Sequence, residues 1–72
     1  MRLYRMKSAS LYLLSGNKLC LTGEVTEAPM DHRWSIGNAV RTSEIKLLDL
    51  ERMYAVTQNS IYHFDEFIPH IR

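Results

Sequence analysis

The side chains that could carry out covalent chemistry in this chain are one thiol, Cys20, and three imidazoles, His32, His63 and His70. A cysteine nucleophile needs a base within hydrogen-bonding reach and a setting that lowers the thiol pKa, such as the start of a helix. Cys20 instead lies within residues 19–26, where apolar and polar residues alternate as in a half-buried strand. We therefore interpret Cys20 as a buried structural thiol and predict no catalytic residue.

The acidic residues do not form a catalytic or metal-binding set either. Asp65 and Glu66 are adjacent, so in a strand their side chains point to opposite faces. His63, Asp65 and His70, with His32, lack the Cys-x-x-Cys or His-Glu-x-x-His spacing of common metal sites. The three glycines are isolated and form no phosphate-binding loop. The sequence predicts a protein that is not an enzyme and that has neither a metal nor a cofactor.

The charges argue against nucleic acid as a partner. The net charge is +1, whereas a phosphate-binding surface normally shows a clear positive excess. The one local excess is Arg2, Arg5, Lys7 and Lys18, which precede the first acidic residue, Glu24. We interpret these cations as charges on an edge strand that prevent it from pairing with another chain.

Nucleic-acid binding by a small β-barrel is nevertheless the first alternative function. It would use aromatic side chains interleaved with basic ones, and only Tyr4 and Tyr12 lie among the N-terminal cations. Both tyrosines are interpreted as core residues. A structural homodimer is the second alternative, because a chain of 72 residues gains burial by self-association.

The single cysteine and the absence of a long apolar segment predict a cytoplasmic protein without a membrane partner. One cysteine cannot form an intramolecular disulfide, which fits a reducing compartment. The longest apolar run near the N-terminus, residues 11–14, is far too short to cross a bilayer.

Turn residues divide the chain at strand-like intervals. Residues 11–14 and 19–26 are expected to form a hairpin across Ser15–Asn17, and Gly23 is expected to mark a bulge or a sharp bend. Residues 39–47 are predicted to form a strand, but a short helix over residues 43–53, capped by Ser43, is the competing interpretation. A short turn around Asp49 would instead leave a pair of strands.

The last hairpin gives the firmest local prediction. Residues 53–57 and 60–64 flank a two-residue loop, Gln58 and Asn59, in which Asn59 is expected to hold a positive φ. This register sets Val56 opposite Ile61 on one face and Ala55 opposite Tyr62 on the other. Both faces are largely apolar, so the hairpin belongs in the middle of a curled sheet or small barrel, or has one face covered by another chain.

A further pattern runs through these elements. It comprises a Gly-x-Val strand at Gly23, a loop containing Pro29, a Val-x-Thr-Ser-x-Ile strand from Val40, and a Thr-x-Asn-Ser-x-Tyr hairpin from Thr57. It resembles short bacterial proteins, some of them encoded by phages and other mobile elements. The resemblance implies strands throughout and no particular activity, and it suggests an inhibitor or modulator of a host protein.

The sequence thus predicts a single domain, residues 1–72, that is mostly β: a small barrel or a curled antiparallel sheet of about five strands, with at most one short helix. Residues 66–72 are expected to form a mobile tail or to engage a partner, because Pro69 cannot donate to an interior ladder.

The predicted function is to bind a protein partner through the long loop between the second and third strands. Residues 28–37 are more than a tight connection needs, and they concentrate residue types enriched at protein interfaces. The predicted partner-binding residues are Met30, Asp31, His32, Arg33, Trp34 and, at the start of the next strand, Arg41. The alternative role for Trp34, the only tryptophan, is to cover a small core.

Overall fold

The structure, a computed structural model, describes residues 1–30 and 36–71 of the chain. These residues form six strands and one turn of 3-10 helix, so the prediction of a mostly β protein is confirmed. The strands are β1 (Arg2–Leu14), β2 (Lys18–Glu27), β3 (Ala39–Glu44), β4 (Leu47–Asp49), β5 (Tyr54–Val56) and β6 (Ser60–Ile71), and the 3-10 turn is Ser15–Asn17.

The six strands form one sheet in the order β3-β2-β1-β6-β5-β4. Two antiparallel meanders, β1–β2–β3 and β4–β5–β6, meet at the centre of the sheet, where β1 and β6 run parallel. The prediction of an entirely antiparallel sheet is therefore wrong for this pair. It failed because a parallel partner lies far away in the sequence and leaves no turn signal between the paired strands.

The segment predicted as one strand, residues 39–47, is divided into β3 and β4. At the division the Ile45 N–H donates to the Leu19 carbonyl oxygen of β2, whereas the Lys46 N–H donates to the Val56 carbonyl oxygen of β5. The chain thus passes from one edge of the sheet to the other within two residues. This crossing explains why six strands are found where about five were expected.

The crossing also brings the two edges of the sheet close together at one end. Within the described residues β3 pairs only with β2, and β4 pairs only with β5, so the sheet is not closed into a barrel. The barrel prediction is wrong, because the edges meet at residues 45–46 alone and not along a ladder.

Strand β1 bends in the middle. Thirteen residues would extend about 40 Å as a straight strand, but the longest axis of the molecule measures 32 Å. The bend lies where the pairing with β2 shifts register, between Met6 and Ala9. Opposite it is Gly23, at which a Cβ would collide with the Ser8 carbonyl oxygen. The prediction that Gly23 marks a bulge or bend is confirmed.

One face of the curled sheet forms the core. Its centre is a cluster of side chains that are almost fully buried: Tyr4, Met6, Ala9, Leu21, Val25, Ala55, Tyr62 and Phe64. Tyr4 and Tyr62 are neighbours in the parallel pair, and their rings stack with centroids 4.8 Å apart. We call the opposite side of the sheet the outer face.

The helix considered for residues 43–53 is absent, and the alternative of a strand pair around Asp49 is confirmed. Asp49 Oδ1 accepts hydrogen bonds from the N–H groups of Glu51 and Arg52, at 3.0 and 2.9 Å. This carboxylate closes the turn over residues 50–53, and Met53 completes it with φ at 60°. A local side-chain acceptor has therefore replaced the helical hydrogen bonds.

The closing hairpin has the predicted register, with Tyr54, Ala55 and Val56 opposite His63, Tyr62 and Ile61. Both of its strands are interior to the sheet, as expected. The expectation for Asn59 is wrong, because neither loop residue has a positive φ; among the described non-glycine residues a positive φ occurs at Asn17 and Met53. The Thr57 N–H donates to the Ser60 carbonyl oxygen at 2.9 Å, and this hydrogen bond closes the loop without a positive φ.

Strand β6 continues along β1 as far as Ile71. Ala9 is paired with Phe67 and Leu11 with Ile71, so β6 contains two extra residues between these positions. Pro69 lies in this irregular stretch, where its missing N–H removes no regular ladder bond.

Candidate functional site

The predicted partner site is only partly described. Asp31, His32, Arg33 and Trp34 lie outside the described residues, whereas Met30 and Arg41 are described. The loop leaves the sheet at Glu27, which is paired with Arg5, and returns at Asn38, whose carbonyl oxygen accepts from the Val25 N–H at 3.1 Å. The side chain of Met30 is fully exposed.

A shallow groove of about 560 Å³ lies at the root of this loop. Its walls come from the first residues of β1, from the end of β2 and from β6; they include Leu3, Arg5, Glu27, Pro29 and His63. The groove combines apolar walls with the charged side chains of Arg2, Arg5 and Glu27. It could receive an apolar side chain of a partner.

Arg41 lies in a different part of the sheet. It is paired with Thr22, and Thr22 is five residues from Glu27 along β2, which corresponds to about 16 Å. Its guanidinium lies over the ring of Tyr12, 3.8 Å from the ring centroid. The structure therefore does not bring Arg41 to the root of the loop but gives it a stacking partner on the outer face.

A continuous row of apolar side chains crosses the outer face of four strands. Leu3 in β1 is paired with Ile61 in β6, Ile61 with Val56 in β5, and Val56 with Leu47 in β4. Paired residues of adjacent strands project from the same side of a sheet. We call these four residues the outer row.

The outer row is open to solvent at both ends. Leu3 is 59% exposed and Leu47 is 47% exposed, whereas Ile61 and Val56 between them are half-buried. Isolated exposed leucines are common, but apolar side chains on four successive strands form a contiguous patch, and such patches mark interaction sites.

A second row, Arg5, His63, Tyr54 and Asp49, runs parallel to the outer row. Arg5 forms an ion pair of 2.7 Å with Asp65, and Asp49 lies 3.4 Å from the guanidinium of Arg52. The rings of Tyr54 and His63 contact each other with centroids 5.8 Å apart. The apolar row is thus bordered by charges that are already paired within the chain.

Sequence reasoning found only the middle of the outer row. The apolar faces of the closing hairpin identified Ile61 and Val56, because the hairpin register follows from a short loop. Leu3 was missed because it joins the row through the parallel β1–β6 pair. Leu47 was missed because it lies beyond the crossing at residues 45–46.

Cys20 is fully buried beneath the outer face and outside the core cluster. Burial raises the pKa of its thiol, and the nearby charge of Arg41 opposes the rise only in part. The thiol is therefore held in its protonated, unreactive form. Among residues 1–30 and 36–71, no three His, Cys, Asp or Glu side chains come together as metal ligands would.

The two tyrosines weighed for nucleic-acid binding do not share a surface. Tyr4 is almost fully buried against Tyr62, which confirms its role in the core. One face of the half-buried Tyr12 ring is covered by Arg41. Tyr4 is therefore closed to a base, and Tyr12 has one ring face already occupied.

The comparisons with known proteins do not extend these observations. No protein family, no curated protein and no solved structure matches the chain. In the part of the chain that the structure describes, no helix has the length and apolarity needed to cross a membrane.

Proposed function

We propose that this chain is a protein-binding module of the cytoplasm, acting by binding and not by catalysis, and that the outer row is its main docking surface. The single observation that supports the proposal is the row itself: Leu3, Ile61, Val56 and Leu47 are contiguous, apolar and at least partly exposed. Covering these side chains would remove apolar surface from water, which is the main favourable term in protein association.

The loop predicted from the sequence complements this surface. The groove at its root shares Leu3 with the outer row. A partner seated on the row would therefore also reach the loop that carries Met30 and, in sequence, Arg33 and Trp34. The resemblance to short mobile-element proteins favours a role as an inhibitor or modulator of a host protein, because a stoichiometric inhibitor needs only a surface.

Site-specific photocrosslinking in the full chain tests the proposal. A photoreactive amino acid is placed at Val56 in the outer row or, as a matched control, at Leu13, which is exposed on β1 but outside the row. Each protein is irradiated in an extract of the cells that express it, and adducts are identified by mass spectrometry. An adduct with a protein, including a second copy of the chain, is expected from position 56 and not from position 13.

Equal yields from the two positions would contradict the proposal, and so would no adduct from either. Salt provides a further control. Because the outer row is apolar, the yield at position 56 is expected to persist at high ionic strength, whereas attraction to nucleic acid would be screened.

A further inference from the structure

We propose that the occupant of the outer row is a second copy of this chain, bound face to face about a two-fold axis that runs parallel to the strands between β5 and β6. The inference rests on the proposed function and names the partner of the same surface. It follows from the symmetry of the row, from the charges beside it and from its area.

The outer row reads nearly the same in both directions. From β1 to β4 it consists of a leucine, two β-branched residues and a leucine. Rotation about the proposed axis sets Leu3 of one copy against Leu47 of the other, and Ile61 against Val56. A two-fold interface requires this kind of self-complementarity, in which each contact occurs twice.

The charges of the second row select this axis. Its order is Arg5, His63, Tyr54, Asp49, with a cation at the β1 end and an anion at the β4 end. The same rotation brings Arg5 of one copy towards Asp49 of the other, and His63 towards Tyr54. A two-fold axis along the outer row would instead place the second rows of the two copies on opposite sides of the interface, where they could not meet.

Little electrostatic repulsion opposes this association. The net charge of the chain is +1, and Arg5 and Asp49 each have an intramolecular partner, Asp65 and Arg52. Near-neutral chains associate more readily than highly charged ones. Exchange of an exposed ion pair for one between copies changes the free energy little, since exposed ion pairs contribute little to stability.

The area of the outer-face patch limits the affinity of the proposed dimer. Four strands spaced about 4.8 Å apart, with two outward residues along each as in the three-residue strands β4 and β5, cover about 250 Å². A standard stable interface buries about 800 Å² per partner. The dimer is therefore expected to be weak, and its population is expected to depend on protein concentration.

A charge-swap experiment tests both the partner and the axis. Leu3→Lys and Leu47→Glu are prepared as separate full-length proteins, and circular dichroism verifies that each is folded, as expected for exposed positions. Each variant alone sets one charged side chain against leucine at both ends of the interface and is expected to remain monomeric in sedimentation velocity. An equimolar mixture sets the introduced lysine of one chain against the introduced glutamate of the other and restores a leucine pair at the opposite end, so dimers are expected to return.

The control mixture replaces Leu47→Glu with Leu47→Lys, which sets lysine against lysine at that end of the interface, and no such recovery is expected. Failure of the charge-swap mixture to recover dimers would overturn the inference. A wild-type chain that stays monomeric while position 56 crosslinks to a different protein would also overturn it, although the proposed function would survive. If position 56 crosslinks to no protein, both fail.

Discussion

The carbonyl oxygen of Ser8 fills the space that a side chain at position 23 would need. A Cβ built on Gly23 would overlap this oxygen, which belongs to the backbone and cannot rotate away. The two residues lie where β1 bends and its pairing with β2 shifts register. The curl that brings the edges of the sheet together depends on this contact.

Gly23→Ala is therefore expected to lower the free energy of unfolding by about 3 kcal/mol, because β1 must move away from β2 to make room. Gly37→Ala is the matched control: Gly37 has a φ of 92° but open space around it. The control should lose only the strain of a left-handed alanine, about 1 kcal/mol. Urea denaturation of the two variants measures the difference, and equal losses would contradict the role of the Ser8 contact.

Two buried groups that lose protons at alkaline pH, a thiol and a tyrosine hydroxyl, make the stability of the fold sensitive to high pH. Burial raises the pKa of the Cys20 thiol, and burial also raises the pKa of the Tyr62 hydroxyl, which a hydrogen bond with Ser60 partly opposes. The unfolded chain therefore loses these protons at a lower pH than the folded chain. Their contribution to stability is complete below the unfolded values and is lost as the pH rises through the folded ones.

The free energy of unfolding is accordingly expected to fall above about pH 8.5 for Cys20 and above about pH 10 for Tyr62. Cys20→Ala should fold, retain partner binding and flatten the first part of the decline, and Tyr62→Phe should flatten the second. Chemical denaturation over this pH range provides the measurement. Identical profiles for the wild type and both variants would show that the burial of these groups is not coupled to ionisation.

The stacking of Arg41 on Tyr12 is expected to contribute about 0.5–1 kcal/mol to stability. Arg41→Ala and Tyr12→Leu should each reduce the free energy of unfolding, and the double variant should lose less than the sum. Additive losses in this double-mutant cycle would show that the two side chains do not interact. The same variants test the prediction that Arg41 contributes to partner binding, since a purely stabilising residue would leave position 56 crosslinking unchanged.

The loop residues Arg33 and Trp34 remain a prediction from the sequence. Arg33→Ala and Trp34→Ala are expected to abolish partner binding with little change in the unfolding midpoint, because these residue types dominate binding energy at interfaces. Since Trp34 is the only tryptophan, its fluorescence reports on its environment directly. Red-shifted emission that acrylamide quenches is expected. Blue-shifted, unquenched emission would show that Trp34 is buried in the core.

How much the sequence could predict depended on how far apart the interacting residues lie in the chain. The pair Val56–Ile61 flanks a short turn, so turn chemistry and alternation were enough to predict its register, and the same signals predicted the hairpin across Ser15–Asn17 without its register. The Leu3–Ile61 pair joins the first and last strands in parallel, and no local signal specifies it. The division at Ile45 was hidden for a similar reason, because the preceding and following residues are both strand-like and only their distant partners differ.

The candidate site was likewise predictable only where its residues are close in the sequence. Met30, predicted as a partner-binding residue of the loop, is exposed. The outer row was recognised only at its centre, because Leu3 and Leu47 become neighbours of Ile61 and Val56 through tertiary pairing alone.

Sedimentation velocity of Ile61→Lys tests the central claim most directly, because this substitution places a charge at the middle of the outer row. The average mass of the wild-type chain is expected to rise with concentration towards that of a dimer, and the control Leu13→Lys should follow the same curve. Ile61→Lys should fold, since Ile61 lies outside the core cluster, and should remain a monomer throughout. An Ile61→Lys curve that matches the wild type, or a wild type that never departs from the monomer mass, would contradict the account.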